Sequence, residues 1–393
     1  ITQTTLQTHA LPFLVLYLIW VLILYMFELY DLNYHRRGIP LYEKITQALL
    51  VATIVSISFF YAFPFFGITP RLNLALNIVF FGVLLTGWRI LFSDTLAKHL
   101  SVPVTIYNPT GNLDSLCNLL TENPQFGLGP IRCVDTLKTI PSQMIVLDSA
   151  RVNPADTERL LARPHTIAID ATTIFERYAQ KVPLELVDGR YILQTSHTGT
   201  SLGYRIVHRG LDPLIAGLVL VITIPIMLAV ALLIYLEDKG PIVYSQTRTG
   251  HYGKPFLLYK FRSMRVDAEK NGAQWSSGNA DTRVTRIGRI IRKLHIDELP
   301  QMINILKGDL ALIGPRAERP EFVAQLEQEI PHYRLRHIIK PGFTGWAQVK
   351  FFYARSVMDS YEKFEYDLYY IKNRNLVMDL AILLRTAYII LKH

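Results

Sequence analysis

The stretch LDPLIAGLVLVITIPIMLAVALLIYL, residues 211–236, is long and apolar enough to form a helix across a membrane. Such a helix needs about 20 apolar residues. Pro225 interrupts its middle, and a proline inside a helix removes one backbone hydrogen bond and kinks the helix. The segment therefore either spans a membrane or enters and leaves on one side. The two alternatives place residues 240–393 on opposite sides.

Three earlier apolar blocks, at about 11–29, 45–66 and 72–92, each approach the same length. Buried helices of a large soluble domain are the alternative, but three such blocks in close succession favour a membrane α-helical bundle over residues 1–98. By the positive-inside rule, the cations of loop 31–44 and Lys98 place that loop and everything after Lys98 in the cytoplasm. Ile1 is then outside, so we expect one further helix upstream of it.

Composition and charge indicate which kinds of partner the protein binds. The 393 residues allow two or three domains, 50% of them are hydrophobic, and the formal net charge is +9. A basic membrane protein suits anionic lipid headgroups and phosphate-bearing substrates, and we find no nucleic-acid-binding module and expect no nucleic acid. Cys117 and Cys133 have no metal-binding spacing, so a reduced compartment is the default expectation.

Residues 99–204 alternate short β-rich runs with helix-like stretches, which predicts a small Rossmann-like α/β domain. A dinucleotide site would need a tight glycine-rich loop after the first strand. The loop NPTGN, residues 108–112, has one glycine. A structural or regulatory spacer is therefore favoured over a bound dinucleotide.

The strongest local pattern begins with four arginines spaced by threes, which form a basic stripe on a predicted helix: Arg283, Arg286, Arg289 and Arg292. HIDELP follows at 295–300, where the proline predicts the first turn of a new helix. Leu299, Met302, Ile303 and Leu306 predict one apolar face of that helix.

Asp297 and Glu298 would lie at the N-terminus of this new helix, which favours negative charge and binds phosphate. Paired carboxylates are also ligands for Mg²⁺. Simple N-capping is the alternative explanation of these acids.

Two rigid segments add cations. GPRAERP at 314–320 fixes Arg316 and Arg319 after a Gly-Pro turn, and arginine presents a planar fork to phosphate. YKFRSM at 259–264 predicts a strand with Lys260 and Arg262 on one face. KPGFTGW at 340–346 is another rigid turn, which ends in an aromatic residue.

The order of several segments along the chain resembles the bacterial sugar transferase family. The segments are the proline-broken apolar block, then GPIVYSQTRTG, GKPFLLYKFRSM, IDELPQMINILKGDLALIGPRAERPEF, KPGFTGWAQV and YDLYYIKNRNLVMDLAILLRT. These are monotopic polyprenyl-phosphate sugar-1-phosphate transferases, also called phosphoglycosyl transferases. The resemblance covers about 207–393. The N-terminal layout resembles the large subgroup that initiates exopolysaccharide or O-antigen synthesis.

The resemblance implies that Asp297 attacks a UDP-sugar, that UMP leaves, and that undecaprenyl phosphate then takes the sugar phosphate from the aspartate. Glu298 is implied as the partner acid, and both acids as Mg²⁺ ligands. Five residues are expected to bind phosphate, either from the resemblance or from their local sequence pattern: Lys260, Arg262, Arg292, Arg316 and Arg319.

The resemblance also implies a mostly helical monotopic catalytic domain over 205–393, on the cytoplasmic face of the bacterial inner membrane. Residues 211–236 would then be a re-entrant helix kinked at Pro225, and a homodimer is one assembly it allows. The family usually has Ser-Pro at the kink, whereas this chain has Ile224-Pro225, with Thr223 as a substitute hydroxyl. Ala317 stands where many members have a second proline.

Two other functions compete with the transferase. A non-enzymatic membrane scaffold that organises polysaccharide synthesis is the main alternative, and the intact acid pair argues against it. A membrane-anchored nucleotide-sugar dehydratase would need the glycine-rich loop that the 108–112 segment lacks.

Overall fold

The computed structural model describes residues 3–27, 29–30, 39–62, 71–91, 101–123, 126–136, 144–162, 166–197, 202–266, 268, 281–351 and 356–392. Contacts divide the chain into two units, Ile1–Ala179 and Gln180–His393. The domain boundaries predicted after residues 98 and 204 stay a prediction.

Three long helices open the first unit: α1 (Gln3–Met26), α2 (Ile39–Ala62) and α3 (Arg71–Leu91). Polar side chains join them, through one buried and one exposed hydrogen bond. The Trp20 indole donates to the Ser56 hydroxyl at 2.9 Å, and the Tyr17 hydroxyl donates to Asn77 Oδ1 at 2.7 Å. These contacts link α1 to both of its neighbours.

Membrane-spanning potential differs among the helices. Within the described residues, Lys44–Ala62 and Leu202–Asp238 are long and apolar enough to cross a membrane, while Ala10–Met26 and Asn73–Arg89 are shorter apolar helices. The described chain is mostly helical, and these two helices make it a candidate for membrane association. Most of the loop cations that predicted its orientation, at 35–37 and Lys98, lie outside the described residues.

The rest of the first unit is an α/β sheet, as the sequence predicted. Four parallel strands in the order β2-β1-β3-β4 form it: β1 (Val102–Tyr107), β2 (Leu128–Val134), β3 (Met144–Leu147) and β4 (Ile167–Asp170). The helices around it are α4 (Asp114–Glu122), α5 (Pro154–Leu161) and α6 (Ala171–Ile174).

The loop after β1 bonds to its own surroundings. The Asn108 amide donates to Asp114 Oδ1 at 2.8 Å, and the Asn112 amide donates to Asp148 Oδ2 at 2.7 Å. The side-chain amides of this loop are thus engaged within the protein.

Cys117 on α4 and Cys133 on β2 form a disulfide, with their Cα atoms 6.5 Å apart. This differs from the default expectation of a reduced compartment, in which disulfides are rare. The reason is topological: α4 crosses from β1 to β2 and packs on β2, which brings together two cysteines that are 16 residues apart.

The second unit is helical with two small sheets. Its helices are α7 (Gly189–His197), α8 (Leu202–Asp238), α9 (Arg286–Lys293), α10 (Gln301–Lys307), α11 (Pro320–Glu329), α12 (Trp346–Lys350), α13 (Val357–Asn373) and α14 (Leu376–Lys392). β5 (Val243–Thr249) pairs antiparallel with β6 (Pro255–Phe261), and β7 (Ala311–Ile313) pairs parallel with β8 (Gly342–Thr344). The core joins these elements through Ala216, Leu258, Met302, Leu312, Trp346, Tyr370 and Ile382.

Helix α8 runs without a break through Pro225 for 37 residues, which corresponds to about 55 Å. The Thr223 hydroxyl donates to the Val219 carbonyl at 2.7 Å. It therefore bonds one turn back and does not meet the Val221 carbonyl, which Pro225 leaves without its usual donor. The re-entrant path of α8 stays a prediction.

Candidate functional site: the Asp297–Glu298 pair

The predicted acid pair lies on a tight turn between two short helices. α9 ends at Lys293, and His295 reverses the chain in the left-handed region at φ 54°. Ile296–Glu298 then form one 3₁₀ turn, and α10 begins at Gln301. The acids therefore precede α10, as the proline at 300 predicted, but on a 3₁₀ turn of their own.

The end of α8 sets the position of α9. Glu237 Oε1 accepts hydrogen bonds from the backbone N–H groups of Arg286 at 2.8 Å and Ile287 at 3.3 Å. This side-chain cap satisfies N–H groups that a helix start leaves unpaired. The long apolar helix α8 and the turn that carries the acids are thereby joined through α9.

The apolar face predicted for α10 is wrong. Met302 and Ile305 are buried, whereas Ile303 and Leu306 are exposed. Asn304 is fully buried because its amide bonds strand β6: it accepts from Tyr259 N at 3.0 Å and donates to Leu257 O at 2.6 Å. These two bonds turn a polar face of α10 inward.

Glu298 is held by two cations. Its Oε1 lies 2.6 Å from Lys260 Nζ and 3.3 Å from Arg316 Nη2. Burial alone would raise the pKa of Glu298, but the attraction of Lys260 and Arg316 outweighs it and holds that pKa well below the usual range. Glu298 is therefore ionised and fixed in place. The structure thus brings together Lys260, Arg316 and Glu298, three of the predicted site residues.

Asp297 differs from its neighbour. It is 8% exposed, yet among the described residues its carboxylate accepts no hydrogen bond and forms no ion pair. Burial raises the pKa of Asp297, the positive charge of Lys260 opposes this, and the negative charge of Glu298 reinforces it. A carboxylate without hydrogen bonds keeps its lone pairs available, as a nucleophile requires.

The pair suits one mode of magnesium binding. Within the described residues, no group of three or more His, Cys, Asp or Glu side chains is arranged to hold a metal ion, so the chain there supplies no full ligand set. Mg²⁺ commonly binds one or two carboxylates together with substrate phosphates. Asp297 and Glu298 fit that mode, and the ion stays a proposal.

The loop with Arg316 is packed backbone to backbone. Gly314 N–H donates to Thr344 O at 2.9 Å, and Gly342 N–H donates to Pro315 O at 2.9 Å. A Cβ on Gly342 would lie 2.0 Å from Gly314 N, so only glycine permits this approach. The two turns that the sequence marked as rigid, 314–320 and 340–346, therefore stabilise each other.

Two arginines, the buried Arg336 and the half-buried Arg248, hold the carbonyl groups of this loop. Arg336 Nη2 donates to Arg316 O at 3.1 Å and to Asp367 Oδ2 at 2.8 Å. Arg248 Nη1 donates to Ala317 O at 3.1 Å. The backbone that presents Arg316 is thus anchored on both sides.

The other predicted cations have different surroundings. Arg262 follows the end of β6, is buried, and pairs with Asp238 at the end of α8. Arg319 lies 3.6 Å from Glu321. Arg292, on α9, adds positive charge near Asp297, and its buried Nη1 has no hydrogen-bond partner among the described residues. Phosphate binding by these three stays a prediction.

The arginine stripe is shorter than predicted, since α9 begins at Arg286. Arg283 precedes it and pairs with Asp281 at 2.6 Å.

Sequence reasoning missed four residues near the Arg316 loop: Arg248, Gln301, Arg336 and Asp367. Gln301 begins α10 four residues after Asp297, so the local sequence made it accessible to prediction. Arg336 and Asp367 are 31 positions apart, and no local spacing signals their contact.

The family model described as bacterial sugar transferase matches residues 203–393. A UDP-N-acetylgalactosamine-undecaprenyl-phosphate N-acetylgalactosaminephosphotransferase from Aeromonas hydrophila is 49% identical over 48% of this chain and 44% of its own length. A UDP-glucose:undecaprenyl-phosphate glucose-1-phosphate transferase from Escherichia coli is 36% identical over 52% of this chain and 44% of its own length.

A shorter relative is covered more completely. It is a putative undecaprenyl-phosphate N-acetylgalactosaminyl 1-phosphate transferase from Bacillus subtilis, 50% identical over 34% of this chain and 74% of its own length. The matched region spans less than half of the Aeromonas and Escherichia proteins. With Asp297, Glu298, Lys260 and Arg316 all inside the matched region, the chain belongs to the bacterial sugar transferase family.

Proposed function

We propose that the protein transfers a sugar-1-phosphate from a UDP-sugar to undecaprenyl phosphate, with Asp297 as the nucleophile. The observation that carries this proposal is the contrast within the acid pair. Glu298 is neutralised by Lys260 and Arg316, whereas Asp297 is buried, unbonded among the described residues, and next to that positive charge.

The reaction proceeds in two displacements. A carboxylate oxygen of Asp297 bonds to the sugar-bearing phosphorus while the P–O bond to UMP breaks and UMP departs with the electron pair. An oxygen of undecaprenyl phosphate then attacks the same phosphorus, and the carboxylate leaves unchanged. Covalent catalysis divides the transfer into two easier steps, and no net proton is required.

The surrounding residues stabilise the moving charge. Lys260 and Arg316 offer N–H donors to the oxygens of the transferred phosphoryl group, which is the main demand of such chemistry. Glu298 keeps these two cations in place before the substrate arrives. Mg²⁺, held by Asp297 or Glu298 with substrate oxygens, would supply further neutralisation of phosphate charge.

The same proposal places the reaction on the cytoplasmic face of the bacterial inner membrane, because UDP-sugars are cytoplasmic. Helix α8 then returns to that side. The donor favoured first is UDP-N-acetylgalactosamine, since relatives 49% and 50% identical to this chain carry that sugar in their names.

A panel of UDP-sugars tests the activity. Membranes that contain the full chain are mixed with undecaprenyl phosphate and Mg²⁺, and UMP release is measured for each donor. We expect release with UDP-N-acetylgalactosamine above UDP-glucose. Absence of release with every donor, alongside normal lipid-linked sugar in cells, would instead favour the membrane scaffold.

A further inference from the structure

A cluster of polar side chains in the second unit is not used by the proposed mechanism. His208 and Asp212 lie near the start of α8, Tyr370 lies on α13, and Asp379 lies on α14. Both carboxylates and the tyrosine are buried, and the histidine is half-buried. Buried carboxylates are costly unless they are paired and hydrogen-bonded, so the partners of these two need an account.

The imidazole of His208 bridges the two carboxylates. Its Nδ1 lies 3.1 Å from Asp212 Oδ1, and its Nε2 lies 2.9 Å from Asp379 Oδ2. The second oxygen of each carboxylate also accepts a hydrogen bond. Asp212 Oδ2 accepts from the backbone N–H of Leu312 at 3.3 Å, and Asp379 Oδ1 accepts from the Tyr370 hydroxyl at 2.8 Å.

These four contacts determine the charge of the histidine. Because all four carboxylate oxygens accept, both ring nitrogens of His208 must donate, and a histidine that donates through both is an imidazolium. A neutral imidazole would place a bare nitrogen against a carboxylate oxygen. The charged ring therefore holds Asp212 and Asp379 together, and with them helices α8 and α14.

The bond to Leu312 connects this cluster to the strand that precedes the Arg316 loop. Strand β7 pairs with β8 through Ala311 and Ile313, so the N–H of the residue between them points to the opposite edge. Asp212 accepts that N–H group. Arg316 follows the end of β7 by three residues, after the Gly-Pro turn.

Arg316 is thus supported from two directions. Downstream, the carbonyl groups of its loop are held by Arg248 and Arg336. Upstream, β7 is held by Asp212, whose other oxygen is held by His208. A shift of about 1 Å in a group that orients the substrate can lower the rate on the order of 10²-fold.

We propose that His208 is a positioning residue: as an imidazolium between Asp212 and Asp379 it fixes strand β7 and, through that strand, the guanidinium of Arg316. The inference rests on the proposed function, in which Arg316 donates to the transferred phosphoryl group. His208 itself takes part in neither displacement.

His208→Gln tests the role of the imidazolium. Glutamine donates to one carboxylate, but its side-chain carbonyl then faces the other. Membranes that contain the full chain are assayed for UMP release with undecaprenyl phosphate and a saturating UDP-sugar, well below the melting temperature of each variant. We expect kcat per folded protein to fall by about tenfold or more. An unchanged kcat in the folded variant would overturn the proposal.

The double variant His208→Gln/Asp212→Asn distinguishes positioning from simple packing. The amide introduced at position 212 can donate to the glutamine carbonyl and still accept from the Leu312 N–H, so each donor again faces an acceptor. We expect most of the lost kcat to return, whereas a change at 212 would not repair a packing defect at 208. Failure to recover would contradict the proposal.

Asp212→Asn alone decides the question if His208→Gln does not fold. A neutral imidazole can accept from the new amide and donate to Asp379, so kcat should stay at the wild-type value, and a tenfold loss would count against the proposal. His332→Asn is the control, at an exposed histidine whose left-handed backbone asparagine tolerates. A wild-type chain that releases no UMP with any donor would argue against the proposed function instead.

Discussion

Asp297→Asn is expected to lower UMP release by a factor on the order of 10³ or more, because removal of a catalytic nucleophile has effects of at least that size. The amide has the same shape but cannot bond to phosphorus as a carboxylate does. Membrane preparations of the variant and the wild type are compared for UMP release. Asp156→Asn, on the surface of the α/β sheet unit, is the control and should keep full activity. Retained activity in Asp297→Asn would refute the assignment of Asp297 as the nucleophile.

The same substitution should not destabilise the protein. Burial raises the pKa of Asp297, so its folded-state pKa lies above the unfolded value. The ionised carboxylate then opposes folding at neutral pH, and this penalty disappears as the pH falls through the raised pKa. Asn carries no charge, so the melting temperature at pH 7 should equal or exceed that of the wild type. A lower melting temperature of Asp297→Asn would contradict this account.

In the wild type, activity should fall on acidification as Asp297 takes up its proton.

Arg336→Met is expected to reduce both stability and activity. The Arg336–Asp367 pair is buried, with side chains 5% and 3% exposed. Removal of one partner leaves an uncompensated charge, which costs about 3–5 kcal/mol. Thermal unfolding should shift down by about 10 °C. UMP release should also fall, because Arg316 loses the hydrogen bond to its carbonyl.

The double variant Arg336→Met/Asp367→Leu separates the two effects. An apolar pair of similar volume often replaces a buried ion pair without loss of stability, so the melting temperature should recover. Activity should not recover, because the bond to the Arg316 carbonyl is still absent. Full recovery of kcat would show that this bond has no positioning role. Arg334→Met removes an exposed pair with Glu327 and should change little.

Local patterns predicted the elements but not the contacts between them. The apolar blocks, the α/β alternation and the proline before α10 are short-range signals, and helices and strands formed there. The face of α10 was wrong because the bonds of Asn304 to β6 override the hydrophobic period.

Long-range pairing marks the limit of such reasoning for the site. Lys260 meets Glu298 across 38 positions because β6 lies beside the turn at 296–298, and no spacing in the sequence encodes that distance. Arg262 is two residues further, past the end of the strand, and pairs with Asp238. The alternation of side chains along a strand predicted that Lys260 and Arg262 share one face, but β6 ends at Phe261, before Arg262.

The contacts of Glu298 have a consequence for selectivity. This carboxylate is an internal counterion for Lys260 and Arg316, so free inorganic phosphate must compete with it for the same donors. A small anion has only its own charge to offset that exchange. Under the proposed function, a larger nucleotide sugar would have further groups with which to offset it, so the resting pair would disfavour small anions.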